Sequence, residues 1–305
     1  MIPIGVMSGS WKSYVAPPPP KIFSLAYTGA EETFTVYDAT TLTAKLWGGA
    51  GGGGWYGGGR WSGGGGYTEI VYPVATGDII TVMVAGGGMS HNFAPAGATG
   101  GWPDGGTGSY GDASGGGGGG STRLFVNEVL VAVAGGGGAA AGYSGWGGSG
   151  GGASGVDSGV GFGRPGTQTN AGYAGGLANA LYPEDSALGA TYWENGSGPI
   201  TFATRARRTG GHGGPLGGST GGDGGAGGGG YYGGAGGSGD ARAGGGGSGF
   251  VHASAISAST TEGVGGGGAP PASTDVVYPG GGVAQSVQSN TGTWGGNGFA
   301  YIKLT

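Results

Sequence analysis

Glycine tracts set the terms for this chain. Gly115 to Gly120 is an unbroken run, Gly51 to Gly54 is another, and glycine fills 91 of the 305 positions. A residue without Cβ adds no apolar side chain to a core, and it loses more conformational freedom on folding than any other residue. Collagen, a disordered low-complexity chain and close packing of bare backbone are the outcomes open to such a sequence. Collagen requires glycine at every third position without interruption, a rule the runs break at once. Disorder goes with few aromatics and high charge, whereas this chain carries 8 Trp, 15 Tyr and 8 Phe with only 9% charged residues. Close packing of backbone remains.

Between the tracts, apolar residues alternate with polar ones. Phe23, Leu25 and Tyr27 do so, then Phe34 and Val36, then Leu42, Ala44 and Leu46. The pattern returns at Tyr67 to Tyr72, Asp78 to Val84, Arg123 to Val126, Val129 to Val133, Phe250 to Ala253 and Phe299 to Leu304. Period-two alternation marks half-buried strands. Asn127-Glu128 and Thr76-Gly77-Asp78 read as tight turns. Seven to nine short strands, in regions of about 22–47, 67–85, 121–134, 247–257 and 297–304, predict an all-β domain over residues 21–305. Its expected architecture is an antiparallel, jelly-roll-like β-sandwich with no α-helix of consequence.

The tracts carry a second periodicity. Non-glycine residues recur at steps of three in Thr220, Asp223 and Ala226, in Tyr232, Ala235, Ser238 and Ala241, and in Tyr143, Trp146 and Ser149. A helix of three residues per turn places each set on one edge and leaves the others as bare backbone. Such a helix makes no internal hydrogen bonds, and buried N–H and C=O groups need partners. Neighbouring glycine helices are the available partners, so a polyglycine II bundle inserted into the sandwich is expected. Flexible linkers and a flat glycine-rich sheet are the alternatives, the latter disfavoured because glycine weakens strand interiors.

The residues that carry chemistry elsewhere are sparse here. Gly-x-Gly-x-x-Gly has no diagnostic value in so glycine-rich a chain, and no Lys follows a tract as a phosphate loop requires. His91, His212 and His252 lie far apart, cysteine is absent, and Glu31-Glu32 and Glu184-Asp185 are adjacent acids rather than spaced pairs. These features predict no enzyme, cofactor or metal site. The net charge of −5 and the lack of a basic stripe longer than Arg205, Arg207 and Arg208 argue against nucleic acid. Residues 1–7 lack the pattern of a signal peptide, and no apolar stretch reaches membrane-spanning length. Assembly in a cytoplasm without membrane insertion is expected.

Three regions are candidate contacts. Residues 1–20 read as a docking arm bearing Trp11 and Tyr14 and ending in the stiff polyproline spacer Pro17, Pro18, Pro19 and Pro20. Trp55, Tyr56, Trp61 and Trp102 lie in or beside tracts and present amphipathic rings suited to sugars or proteins. Residues 182–208 break the glycine background with Tyr182, Tyr192, Trp193, Arg205, Arg207 and Arg208, the composition of a recognition loop on a rigid scaffold. Packing against the bundle's edges is the plainer role for any one of these aromatics.

On Leu46 to Gly54, Gly63 to Glu69, Gly77 to Val82, Gly115 to Phe125 and Val131 to Gly138, the sequence resembles the glycine-rich domain of bacteriophage tail-tip, minor tail and tail-fibre adhesin proteins. That domain is shared by the ectodomain of anaplastic-lymphoma-kinase-type receptors, but the absence of cysteine sets this chain nearer the tail proteins. The resemblance spans roughly residues 23–304. It implies a virion tail protein, a homo-oligomer of three or more copies, docked on other tail proteins through residues 1–20. It further implies contact with a bacterial surface glycan or protein and brings no catalytic residues. A purely architectural spacer or cement protein is the alternative. Ice binding is disfavoured because Trp55, Tyr56, Arg60 and Trp61 would interrupt a flat face.

Overall fold

The computed structural model describes residues 19–55, 60–91, 97–109, 114–142, 145–158, 163–173, 196–205, 209–213, 224–237, 242–288 and 293–305. Ten strands form two antiparallel sheets, and no α-helix occurs among the described residues. They are β1 (Lys21–Ala26), β2 (Glu31–Thr35), β3 (Thr41–Trp47), β4 (Tyr67–Pro73), β5 (Ile79–Met83), β6 (Thr122–Val126), β7 (Val129–Ala134), β8 (Phe250–Val251), β9 (Ser257–Thr261) and β10 (Phe299–Leu304). One sheet runs β1-β10-β3-β4-β9 and the other β2-β5-β6-β7-β8. The all-β architecture read from the alternation is the one observed.

The inner faces follow the pleat. Leu42, Ala44 and Leu46 from β3, Ile70 from β4 and Ala300, Ile302 and Leu304 from β10 meet Ile80, Val82, Leu124, Val126 and Val131 of the opposite sheet. Phe23 and Phe34 stack with ring centroids 4.2 Å apart, clasping edge strands β1 and β2. Each outer face is also covered near the tracts. Trp47, Tyr67 and Phe299 pack beneath Val277, Tyr278 and Ala284, where the Trp47 indole N–H donates to the Pro271 carbonyl (2.9 Å) and Lys45 pairs with Asp275. On the other sheet, Met83, Phe125 and Val133 pack beneath Ile200, Phe202 and Tyr231.

Strand direction sorts the connections to two poles. Trp47, Met83 and Ala134 end their strands, and Tyr67, Thr122 and Phe299 begin theirs, at the same pole. The described tracts at 48–54, 63–66, 86–88, 115–120, 135–138, 244–249 and 295–298 enter or leave there. The opposite pole holds short turns at residues 36–40, 73–78 and 127–128, together with the entry of β1 and the end of β10. Asn127 and Glu128 both adopt positive φ (47° and 66°), as a two-residue hairpin needs.

The tracts form a bundle in which successive N–H groups step through three neighbours and return every third residue. Gly48 donates to Gly66, Gly49 to Gly120 and Ala50 to Gly296, then Gly51 to Gly63 and Gly52 to Gly117, at 2.8–3.0 Å. That is the three-residue periodicity of the expected glycine helix, expressed as hydrogen bonds.

The tract Gly135 to Ala141 sits at the centre. Gly136, Gly137, Gly138, Ala139, Ala140 and Ala141 donate in turn to Gly229, Gly49, Gly148, Ala226, Gly52 and Gly145. The carbonyls of Gly135, Gly136, Gly137, Gly138, Ala139 and Ala140 accept from Gly66, Gly247, Gly119, Gly63, Gly244 and Gly116. One chain segment is thereby satisfied by six neighbours without a side chain taking part. A Cβ on Gly138 would lie 2.1 Å from the Gly244 carbonyl oxygen, and one on Gly137 2.1 Å from that of Gly63. The approach of neighbouring backbones leaves no room for it. Step-three alanines Ala226 and Ala235 are fully buried, so the side-chain edge of a tract faces inward there rather than toward solvent.

Candidate functional site

At the seam between bundle and sheet lies a buried polar centre. Asp104 pairs with Arg123 of β6, and both side chains are inaccessible to solvent. The Asp104 carboxylate also accepts from Ser121 N–H (2.7 Å), Ser121 Oγ, Thr209 Oγ1 (2.6 Å) and Gly230 N–H (3.0 Å). Arg123 donates through Nε to Ser121 Oγ (2.9 Å) and through Nη1 to the Arg205 carbonyl. Burial lowers the guanidinium's pKa, and the Asp104 charge opposes that shift. Every group here is consumed in joining chain segments, so the centre is a fastening and offers no reactive atom.

The same holds for Arg205, singled out above as a contact. Its guanidinium grips the Glu31 carboxylate of β2 at 2.7 and 3.2 Å and lies over the Phe202 ring. Residues 196–205 form the cover on the second sheet, with Ile200 buried against Phe125. Trp102 likewise belongs to that cover, half-buried beside the tract base, where its carbonyl accepts from Gly86. Tyr56, Tyr182, Tyr192, Trp193, Arg207 and Arg208 lie outside the described residues, as do Trp11, Tyr14, Pro17 and Pro18.

Tryptophans mark the outer half of the bundle. Trp61 stands six residues before β4 and Trp294 five before β10. At about 3.1 Å per residue that places these two roughly 16–19 Å along the chain from the sheets. Trp146 and Trp294 are each 51% exposed. Trp61 and Trp146 are neighbours: the Trp61 carbonyl accepts from Gly147 N–H (3.1 Å), and the two indoles flank Gly266-Gly267. A Cβ on Gly267 would stand 2.3 Å from the Trp61 ring and one on Gly266 3.8 Å from that of Trp146. Both glycines hold φ near +70° (67° and 77°), a conformation a side chain would disfavour in any case. Trp55 packs against His91 at 4.6 Å between ring centroids, and burial lowers the His91 pKa.

The outer half therefore presents aromatic rings on rigid backbone, with Val264 beside them (41% exposed). Flat, exposed indoles can stack on sugar faces or receive apolar side chains. Among the described residues no group of three His, Cys, Asp or Glu is arranged to hold a metal ion. Trp294 and the Asp104–Arg123 centre were not singled out by sequence reasoning. Trp294 breaks a glycine-rich stretch much as Trp61 does and was open to the same argument.

The opposite pole carries a cavity of about 430 Å³ lined by Pro19, Pro20, Lys21, Tyr37, Asp38, Ala39, Thr40, Lys303, Leu304 and Thr305. Pro19 and Pro20, the described end of the expected arm, form part of its wall. The Lys21 ammonium lies 5.2 Å from the Tyr37 ring centroid on its rim. Compared with family models the chain has no match, and a search of curated proteins also finds none.

Proposed function

We propose that the protein is a structural, non-enzymatic component of a bacteriophage tail, a minor tail or tail-tip protein that contributes to attachment at the bacterial surface. The observation that carries this reading is the separation of the two poles. Pro19 and Pro20 stand at one, and the glycine bundle with the exposed Trp146 and Trp294 and the half-buried Trp61 projects from the other. An element that docks on a virion and reaches toward a surface needs that polarity. The bundle supplies stiffness, because each tract is fixed by lateral hydrogen bonds. The exposed rings supply contact area at little conformational cost. Repetition of the subunit would convert weak single contacts into avidity.

The test is fluorescence microscopy of labelled protein on intact candidate host cells, beside a Trp61→Ala, Trp146→Ala variant. Saturable binding that the variant loses supports the adhesive role. Equal binding by both removes this surface from it, and no binding to any host of a phage that incorporates the protein favours the architectural spacer.

A further inference from the structure

We infer that the surface ligand of the outer half is an uncharged polysaccharide, laid across a row of indoles formed by Trp146, Trp61 and Trp294. The inference rests on the adhesive reading above and names its ligand class. Hydrogen bonds set the row. The Trp61 carbonyl accepts from Gly147 N–H, so the tracts of Trp146 and Trp61 are neighbours. On the other flank of Trp61 the segment 284–288 runs antiparallel to it: Gly65 donates to Ala284 and Ser62 to Val287, and Trp61 bridges to Gln288. That segment is in turn antiparallel to the tract of Trp294, since Ala284 donates to Asn297 and Gly296 to Gln285. Continued along both segments, this register sets Val287 opposite Ser62 on one side and opposite Trp294 on the other. Trp294 is thus level with the residue beside Trp61. Hydrogen-bonded backbones lie about 5 Å apart, so three steps from the tract of Trp146 to that of Trp294 cover roughly 15 Å of surface, more than one sugar ring occupies.

The chemistry between the rings selects the ligand. Segments 61–66, 145–151, 264–268, 284–288 and 293–298 contain no Asp, Glu, Lys or Arg. Arg60 and Glu262 flank them in sequence, while Asp157 is paired with Arg164 and Asp275 with Lys45. An acidic or phosphate-bearing polymer calls for cations that match its anions, and these segments provide none. What stands between the indoles is neutral and hydrogen-bonding: Gln288 and Thr293 are exposed and Gln285 is half-buried. Protein-binding surfaces gather their anchors into one apolar core with a polar rim, whereas here polar side chains separate Trp294 from Trp61. Spaced rings with amides and hydroxyls between them suit a chain whose units each offer a C–H face to an indole and hydroxyls to its neighbours.

The test is competition. Labelled full-chain protein is applied to host cells in the presence of three fractions of the same cells' envelope: polysaccharide that passes an anion exchanger, polysaccharide that the exchanger retains, and solubilised envelope protein. The unretained polysaccharide should compete and the other two should not. Raising sodium chloride should change binding by less than about twofold, since salt screens interactions between charges. Trp294→Ala should weaken binding roughly tenfold, and Trp294→Phe, which keeps a ring, by less. Matching thermal melts establish that both variants are folded. Competition by the retained or the protein fraction, competition by none, a steep fall with salt, or full binding by Trp294→Ala would each overturn the uncharged polysaccharide. Absence of binding to untreated cells instead sinks the adhesive reading and this inference with it, so the two failures are distinguishable.

Discussion

Asp104 and Arg123 form an ion pair wholly withdrawn from solvent, at the place where the glycine bundle meets the outer face of the second sheet. Their unequal surroundings set their unequal importance. The carboxylate gathers donors from residues 121, 209 and 230, while the guanidinium retains Ser121 Oγ and the Arg205 carbonyl if its partner is lost.

Asp104→Asn should therefore be the more damaging single change. It leaves a buried cation without its counter-charge and sets an amide N–H₂ among donors, a loss of about 3–5 kcal/mol on the scale of broken buried pairs. Arg123→Met should cost less, because four neutral donors still hold the carboxylate. Replacing both with apolar residues should not restore stability, since the Ser121 and Gly230 N–H groups would remain unsatisfied. Denaturant midpoints of the three variants check the order.

Gly138→Ala should destabilise by about 3 kcal/mol or more, because the added methyl meets the Gly244 carbonyl at 2.1 Å and backbone on both sides must move. Gly265→Ala is the matched control. Its Cβ would meet nothing nearer than 3.6 Å, so the expected change is within about 0.5 kcal/mol. Thermal unfolding of the two variants distinguishes steric exclusion from a general dislike of alanine in these tracts.

Acid should loosen both covers. The Arg205 side-chain hydrogen bonds lower the pKa of Glu31, and the Lys45 hydrogen bond lowers that of Asp275. A depressed folded value means that the stabilisation is fully present above the ordinary carboxylate range (4.5 and 3.8) and is lost as pH falls below it. The Glu31 pair is partly exposed, so its share is about 1 kcal/mol or less and shrinks with salt. Melting temperature against pH, for wild type and Glu31→Gln, should converge at low pH.

Trp61→Ala with Trp146→Ala should leave the melting temperature within a few degrees while cell binding falls roughly tenfold or more, the scale of truncating central aromatic anchors. A parallel fall in melting temperature would instead assign the rings to packing over Gly266-Gly267.

Much of the sandwich was legible because its strands are written in alternating apolar residues, as in Leu42, Ala44 and Leu46. Strand β9 was not. Ser257–Thr261 has no apolar alternation and is held by its ladder to β4 and by the Thr68–Thr260 hydroxyl contact. The bundle's periodicity was visible, but not which edge of a tract faces inward, since that depends on neighbours distant in sequence. Asp104 sits in a Pro-Asp-Gly-Gly stretch that reads as a surface turn, and its burial follows only from the convergence of residues 121, 209 and 230. Arg205 looked available because its partner Glu31 lies 174 positions away.

The central tract has a consequence in time. The partners of Gly135 to Ala141 are drawn from Gly49 through Gly247, so during synthesis the tract can fill only some of its bonds until the last of these leaves the ribosome. Contacts of such long range form slowly. The nascent chain must hold its glycine backbone in water until then, and a product cut short before Gly247 would lack part of the shell that makes the bundle rigid.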